Sequence, residues 1–396
     1  MCLAAALLLR FGFAAYSFDG RQIFGSLDYE QIGINILRHG VYTLVPPAPM
    51  AVREPGYPLF IAGLYALSGQ SPWAVLAAQA ALSTATVYLV FRLALLIFDP
   101  RTSRAALWIA SFYPYFCYYP GFLFRETLLP FLASAAFFVS LRSSGVGAGA
   151  GAGGLAGWMC LTNTALTPLT AAFGAFLAWQ QEPARRWKGL LAFALVAGSL
   201  MGGWLLRNAL VMKAFIPTST SLGVEMYVAF SVPYEIRGTP EQDRILGRPG
   251  DDTEFQRISV LPELESNRAY VLAALRLAAA RPWSFAMDCA GRFFGLWRIV
   301  PRDRAYTHRT SAVRLLALLS DGWVLPLALA GLVLGWSRPG VRWMGVFVLV
   351  LTMSFSISQS VIRYRLTVMP FVLILTARGA LWLYDLAASR RAAGSR

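Results

Sequence analysis

Acidic side chains are scarce in this 396-residue chain, with 20 Asp and Glu against 35 Lys and Arg. Asp19, Asp28, Glu30 and Glu54 nevertheless share one polar stretch with Arg53, between Phe18 and Tyr57 and close to two strongly hydrophobic segments. A carboxylate near an apolar layer is expensive unless it is paired or used. This stretch is therefore the first place to look for chemistry. The plain alternative is that Asp28 does no more than cap a helix.

The element that must position Asp28 reads as that helix. At about 100° per residue, Asp28, Gln31, Asn35, Arg38 and His39 fall on one arc, and Tyr29, Ile32, Gly33, Ile36 and Leu37 on another. Ser26 suits the N-cap and Gly40 the C-terminal stop, which places Asp28 in the first turn, where the helix dipole favours an ionised carboxylate.

The surrounding chain is 57% hydrophobic and 14% charged, which excludes an ordinary soluble domain and predicts an all-α, polytopic membrane bundle. The formal charge of +15 is almost all arginine, since Lys188 and Lys213 are the only lysines. In such a protein, basic excess marks cytoplasmic flanks first and anionic lipid phosphates second, with no nucleic-acid partner expected. Cys2, Cys117, Cys160 and Cys289 are scattered and fit neither a disulfide framework nor a metal site. With only His39 and His308, a histidine metal cluster is excluded. A divalent cation held by carboxylates stays compatible with the sequence.

Taken in order, residues 2–17 read as a first span whose cytoplasmic start is expected to be lost through a late start codon, with a signal peptide as the weaker alternative. Arg10 within it should face the bundle or snorkel. Further spans are expected near 73–98, 105–119, 122–141, 321–337, 341–358 and 366–386. The Gly/Ala run after Arg142 reads as a slack linker. Basic turns at Arg101/Arg104, Arg142, Arg185/Arg186/Lys188, Arg338/Arg342 and Arg390/Arg391/Arg396 share one face only if residues 154–179 go up and return as two short half-helices. The total is about eight spans plus that hairpin. The division expected is an N-terminal membrane module over 1–206 with an external loop at 18–72, an extracytoplasmic interfacial segment of amphipathic helices and loops over 207–319, and C-terminal spans with a basic tail over 320–396.

Asp28-Tyr29-Glu30-Gln31, followed by Arg53-Glu54-Pro55-Gly56-Tyr57-Pro58, resembles the first external loop of the polyprenyl-phosphate-sugar-dependent glycosyltransferases of the GT-C superfamily. These include the dolichyl-phosphate-mannose protein mannosyltransferases and the lipid A aminoarabinose transferases. Phe124-Arg125-Glu126-Thr127, Trp204-Leu205-Leu206-Arg207-Asn208, Thr220-Ser221-Leu222-Gly223 and Arg363-Tyr364-Arg365-Leu366 extend the likeness in order along the chain. Two positions depart from it. Asn163-Thr164 stands where relatives often carry Arg-Pro, and Gly25-Ser26 where they often carry an acid, leaving Asp28 or the more distant Asp19.

The resemblance implies a GT-C-like bundle in a bacterial inner membrane, with its active site facing outward. It implies transfer of a hexosyl or pentosyl group from a polyprenyl-phosphate donor to a lipid, glycan or protein acceptor, with inversion at the anomeric carbon. Asp28 is expected as general base, Asp19 as its alternate, and Glu126 as the residue that orients the acceptor or a partner arginine. Arg53, Arg207, Arg363 and Arg365 are candidate phosphate clamps, because the guanidinium fork matches phosphate. Glu54 and Tyr57 belong to the same substrate-binding element. The competing readings are a transporter or flippase of lipid-linked sugars, which needs polar residues through the midplane, and a non-catalytic membrane scaffold.

Overall fold

The computed structural model describes residues 2–18, 26–237, 240–300 and 310–394, so Asp19 lies outside the described residues. In chain order the helices are α1 (Cys2–Ser17), α2 (Ser26–His39), α3 (Gly56–Ser68), α4 (Pro72–Ile97), α5 (Pro100–Phe112), α6 (Pro114–Tyr118), α7 (Leu128–Arg142), α8 (Gly145–Thr162), α9 (Thr167–Gln180) and α10 (Pro183–Val211). There follow α11 (Ser221–Ser231), α12 (Pro240–Leu246), α13 (Glu254–Ser259), α14 (Glu263–Ala280), α15 (Pro282–Gly295), α16 (Thr310–Leu334), α17 (Pro339–Ile357) and α18 (Met369–Gly394). No strand occurs among the described residues. Five segments, Pro72–Ile97, Pro183–Val211, Ala317–Leu334, Pro339–Ile357 and Ile362–Ala392, are long and apolar enough to cross a membrane. The chain is an all-α, polytopic membrane protein.

Fewer helices reach full spanning length than the hydropathy suggests. Cys2–Ser17 and Leu128–Arg142 are apolar but short. The expected span over 122–141 becomes helical only at Leu128. Pro120 cannot donate to a helical ladder, and Gly121 lies so close to α1 that a Cβ there would meet Ser17 Oγ at 2.3 Å. The chain unwinds here, and that unwound segment carries Arg125 and Glu126.

The Gly/Ala run overturns the linker expectation, because it forms most of the 18-residue α8. Gly149, Gly153 and Gly157 recur at one helical face and meet α10. A Cβ on Gly149 would come 2.0 Å from Gly189 O, one on Gly153 2.5 Å from Phe193 O, and one on Gly157 2.9 Å from Ala197 Cα. Small residues let the backbones of membrane helices approach closely, and dispersion then holds them. The register 149/189, 153/193, 157/197 makes α8 and α10 parallel. The 14-residue α9 brings the chain back between them after the break at Asn163. The up-and-back path read from charge is thus present, but it starts at Gly145 and has unequal arms. Arg142 and the Arg185–Lys188 cluster end on the same side.

The interior is mainly aliphatic and encloses a group of aromatic rings, Phe137, Phe173, Phe176, Phe347 and Phe371, fully or nearly fully. Arg10 faces inward, as its cost in lipid requires, and donates to Ser83 Oγ at 2.8 Å, Ala6 O and Ser111 O at 3.0 Å, and Ala110 O at 3.1 Å. Between α10 and α16, helix α11 packs on α14 around Tyr227, Ile258, Tyr270 and Ala274. Buried Arg292 ties this layer to the bundle through Ala229 O at 2.7 Å and Ser356 O at 2.6 Å.

Candidate active site

Helix α2 forms where its periodicity places it, with Asp28 in the first turn. Gly40, at φ +66°, ends it and donates to Ile36 O at 3.1 Å. Its polar arc is less wet than the pattern predicts. Asn35 is buried and donates to Thr43 O at 2.8 Å and Leu44 O at 3.1 Å, which turns the chain back over the helix. Glu30 accepts from the Tyr65 hydroxyl of α3.

The following loop is fastened at several points. Trp204 packs edge-on to Tyr42, and Arg207 lies over both rings while donating to Met50 O at 2.9 Å. Tyr42 Oη donates to Arg53 O at 2.9 Å. Glu263 of α14 accepts from Ala51 N at 2.9 Å and Thr220 Oγ1 at 2.7 Å. Gly56 is required because a Cβ would lie 2.3 Å from Thr162 Oγ1 at the top of α8. Arg53 and Glu54 are therefore presented by a rigid loop.

Pairs of opposite charge converge at this end of the bundle. Arg53 Nη2 meets Asp28 Oδ2 at 2.6 Å. Arg125 Nη1 meets Glu54 Oε2 at 3.1 Å and donates to Thr162 O at 3.0 Å. Thr164 Oγ1 lies 3.4 Å from Glu54 Oε1 and 2.6 Å from Thr218 Oγ1, which places a hydroxyl beside Glu54. Arg363 Nε lies 3.1 Å from Glu126 Oε1, and its guanidinium stacks near Phe124 and Tyr364 at 5.0 and 5.6 Å. Among the described residues the Arg363 side chain makes no hydrogen bond besides its ion pair with Glu126. Its side chain keeps 32% exposure, so the two terminal nitrogens are open to an anion. Among the described residues, Glu126 Oε2 and Thr127 Oγ1 have no hydrogen-bond partner, and both residues line a cavity of about 10 Å³, room for roughly one water.

The structure thus brings together Asp28, Arg53, Glu54, Glu126 and Arg363 from the sequence candidates. Others have different places. Tyr57 is fully buried and donates to Gln79 Oε1 at 2.8 Å, fixing α3 to α4. Arg207 is a loop fastener. Arg365 is wholly enclosed, paired with Asp321 and donating to Arg298 O at 2.8 Å, so it faces no ligand. Glu126 pairs with Arg363 and not with its neighbour Arg125.

Two residues were missed. Arg125 pairs with Glu54, and nothing in its local sequence announces that. Glu225 on α11 is half-buried toward the same cluster; its signal is that it is the single acid in the apolar run Ser221–Phe230. Among the described residues no group of three or more His, Cys, Asp or Glu is placed to hold a metal ion.

Residues 49–203 match the family described as dolichyl-phosphate-mannose-protein mannosyltransferase. The resemblance read in the sequence holds over this stretch. It takes in Arg53, Glu54, Arg125 and Glu126 together with α3 to α9 and most of α10. No curated protein matches the chain. Among solved structures, the chain is similar to ArnT from Cupriavidus metallidurans bound to undecaprenyl phosphate, at 16% identity and TM-score 0.43, over 96% of this chain and 77% of that one. It is also similar to the archaeal oligosaccharyltransferase AglB from Archaeoglobus fulgidus in complex with an inhibitory peptide and a dolichol-phosphate, at 13% identity and TM-score 0.46, over 99% of this chain and 51% of that one.

Proposed function

We propose that the protein is a membrane glycosyltransferase that moves a sugar from a polyprenyl-phosphate donor to a hydroxyl-bearing lipid, glycan or protein acceptor. The observation that carries this reading is Arg363, stacked on two rings and held by Glu126 through one edge, with its terminal nitrogens uncommitted. A phosphate leaving group needs no proton. Stabilising the charge that develops on it is what speeds departure, and a pre-oriented arginine fork does this with little reorganisation. Arg53 and Arg125 add positive charge on either side of Glu54. In this reading Asp28, which the sequence nominates as base, serves to hold Arg53.

An apolar cavity of about 260 Å³, lined by Phe293, Trp297, Leu325, Leu329, Val348 and Leu349, lies along α15 to α17 and gives an isoprenoid chain a surface of matching polarity. The basic turns gather at the opposite end of the bundle, which under the positive-inside rule supports the reading of an extracytoplasmic site. In-line attack opposite the phosphate gives inversion. Clustering of the paired charges at one end, away from the midplane, favours transfer over translocation.

The test is a panel of radiolabelled polyprenyl-phosphate sugars offered to the purified protein in lipid nanodiscs, with acceptor lipids and glycans. We expect at least one donor to be consumed and its label to move to an acceptor. A folded protein that consumes none across the panel would sink the transferase reading in favour of a scaffold, and label that crosses the bilayer unchanged would favour a flippase.

A further inference from the structure

Every acid so far placed at the site is already engaged: Asp28 by Arg53, Glu54 by Arg125, Glu126 by Arg363 and Glu30 by Tyr65. Glu225 differs. Among the described residues its side chain makes no hydrogen bond and no ion pair. Its direction follows from the helix. At about 100° per residue, Gly223 and Tyr227 share the face of α11 turned to α14, where Gly223 N donates to Asn267 Oδ1 at 3.0 Å and the Tyr227 ring lies 5.3 Å from Tyr270. Glu225 lies on the opposite arc with buried Ser221 and Ala229.

The start of α11, from which that arc begins, is tied to the loop that carries Arg53 and Glu54. Thr220 N, just before α11, donates to Ala51 O at 2.9 Å, two residues from Arg53, and Thr218 bonds Thr164 beside Glu54. The charged groups acting on Glu225 from these elements are Glu54, Arg125 and Arg53. On the far side, α14 presents Asn267 and Tyr270, and Glu254 of α13 is held by the Tyr227 hydroxyl.

We propose that Glu225 is the general base of the transfer reaction, taking the proton of the acceptor hydroxyl. This rests on the transferase reading above. The step balances. The acceptor oxygen forms its bond to the anomeric carbon, its proton passes to a Glu225 carboxylate oxygen, and the bond from the anomeric carbon to the phosphate oxygen breaks with both electrons going to the lipid phosphate. The phosphate gains one negative charge as Glu225 loses one, so the net charge of the buried cluster is unchanged across the step. Burial first, and then repulsion from Glu54 against the pull of Arg125 and Arg53, lifts the Glu225 carboxyl to about 7. A base poised near the working pH is the effective one.

The experiment compares wild type, Glu225→Gln and Glu225→Ala in nanodiscs with the donor identified by the panel. Glu225→Gln should lower kcat by about 10²-fold or more, the scale of a lost general base, with the donor KM little changed. Formate should restore part of the lost rate to Glu225→Ala, which a residue with only a structural role would not show. Wild-type kcat/KM should fall about tenfold per pH unit below about 7. Glu225→Gln within tenfold of an active wild type, or failure of formate to restore any rate, overturns the assignment and leaves the transferase reading standing. If the variants do not purify folded, a wild-type profile flat from about pH 5.5 to 8 overturns it alone. An inactive wild type across the donor panel removes both.

Discussion

Arg363 and Arg365 lie two residues apart on one 3₁₀ turn, Ile362–Val368, yet they belong to different regions with different physics. Arg365 is sealed. It pairs with Asp321, donates to two backbone carbonyls, and Asp321 in turn accepts from the Tyr113 hydroxyl at 2.9 Å. Arg363 has one carboxylate neighbour, two aromatic faces and an exposed edge. The sealed region spends both terminal nitrogens of its arginine on the protein, and the open one keeps them for a ligand. A charge becomes a binding group when the fold leaves its hydrogen bonds unfinished.

The comparison breaks most sharply at Arg365. Arg365→Ala should destabilise the protein by about 3–5 kcal/mol, because Asp321 is left as an uncompensated buried charge. Thermal unfolding in detergent reads this, and the double variant Arg365→Met with Asp321→Leu should recover much of the loss. A single variant that melts with the wild type would place Arg365 in the open class.

Arg363→Ala should behave oppositely, with kcat/KM for the donor down about 10²–10³-fold, the scale of one lost anion donor, and melting almost unchanged. Arg363→Lys keeps the charge but not the fork, and should recover only part of the rate. Equal losses of stability in Arg363→Ala and Arg365→Ala would erase the distinction.

The smallest effect is expected at the other end of the bundle. Arg101 pairs bidentately with Asp385 at 2.7 and 3.1 Å, with both side chains about half exposed. Water and salt screen such a pair. Arg101→Ala should alter neither melting nor transfer, and a clear drop in melting would show that exposed pairs here count for more than the sealed region implies.

Much of this was legible in the sequence where a residue contrasts with its surroundings. The polar stretch around Asp28, Arg53 and Glu54 stands out of an apolar chain, and the period of α2 fixes its helix. Arg363 and Arg365 look alike, because side chains two residues apart on a tight turn point to different sides and only packing decides which side is core. The glycines of α8 carry no local cost signal that separates a linker from a packing seam. Propensity reads Gly as loose, whereas the partner backbone that makes it tight lies 40 residues away at Gly189. Glu225 stayed hidden for a related reason, since its meaning comes from partners it does not have.

The glycine seam also has a mechanical consequence. Two helices whose backbones touch without intervening side chains have no layer that can shear, so α8 and α10 flex as one double-thickness beam. One end of the beam delivers Thr162, whose carbonyl steadies Arg125, and the other strand of it delivers Arg207, which clamps the loop bearing Arg53. Both Arg125 and the loop bearing Arg53 are thereby bolted to one frame. Arg363 and α17 stand on the side that this frame does not hold.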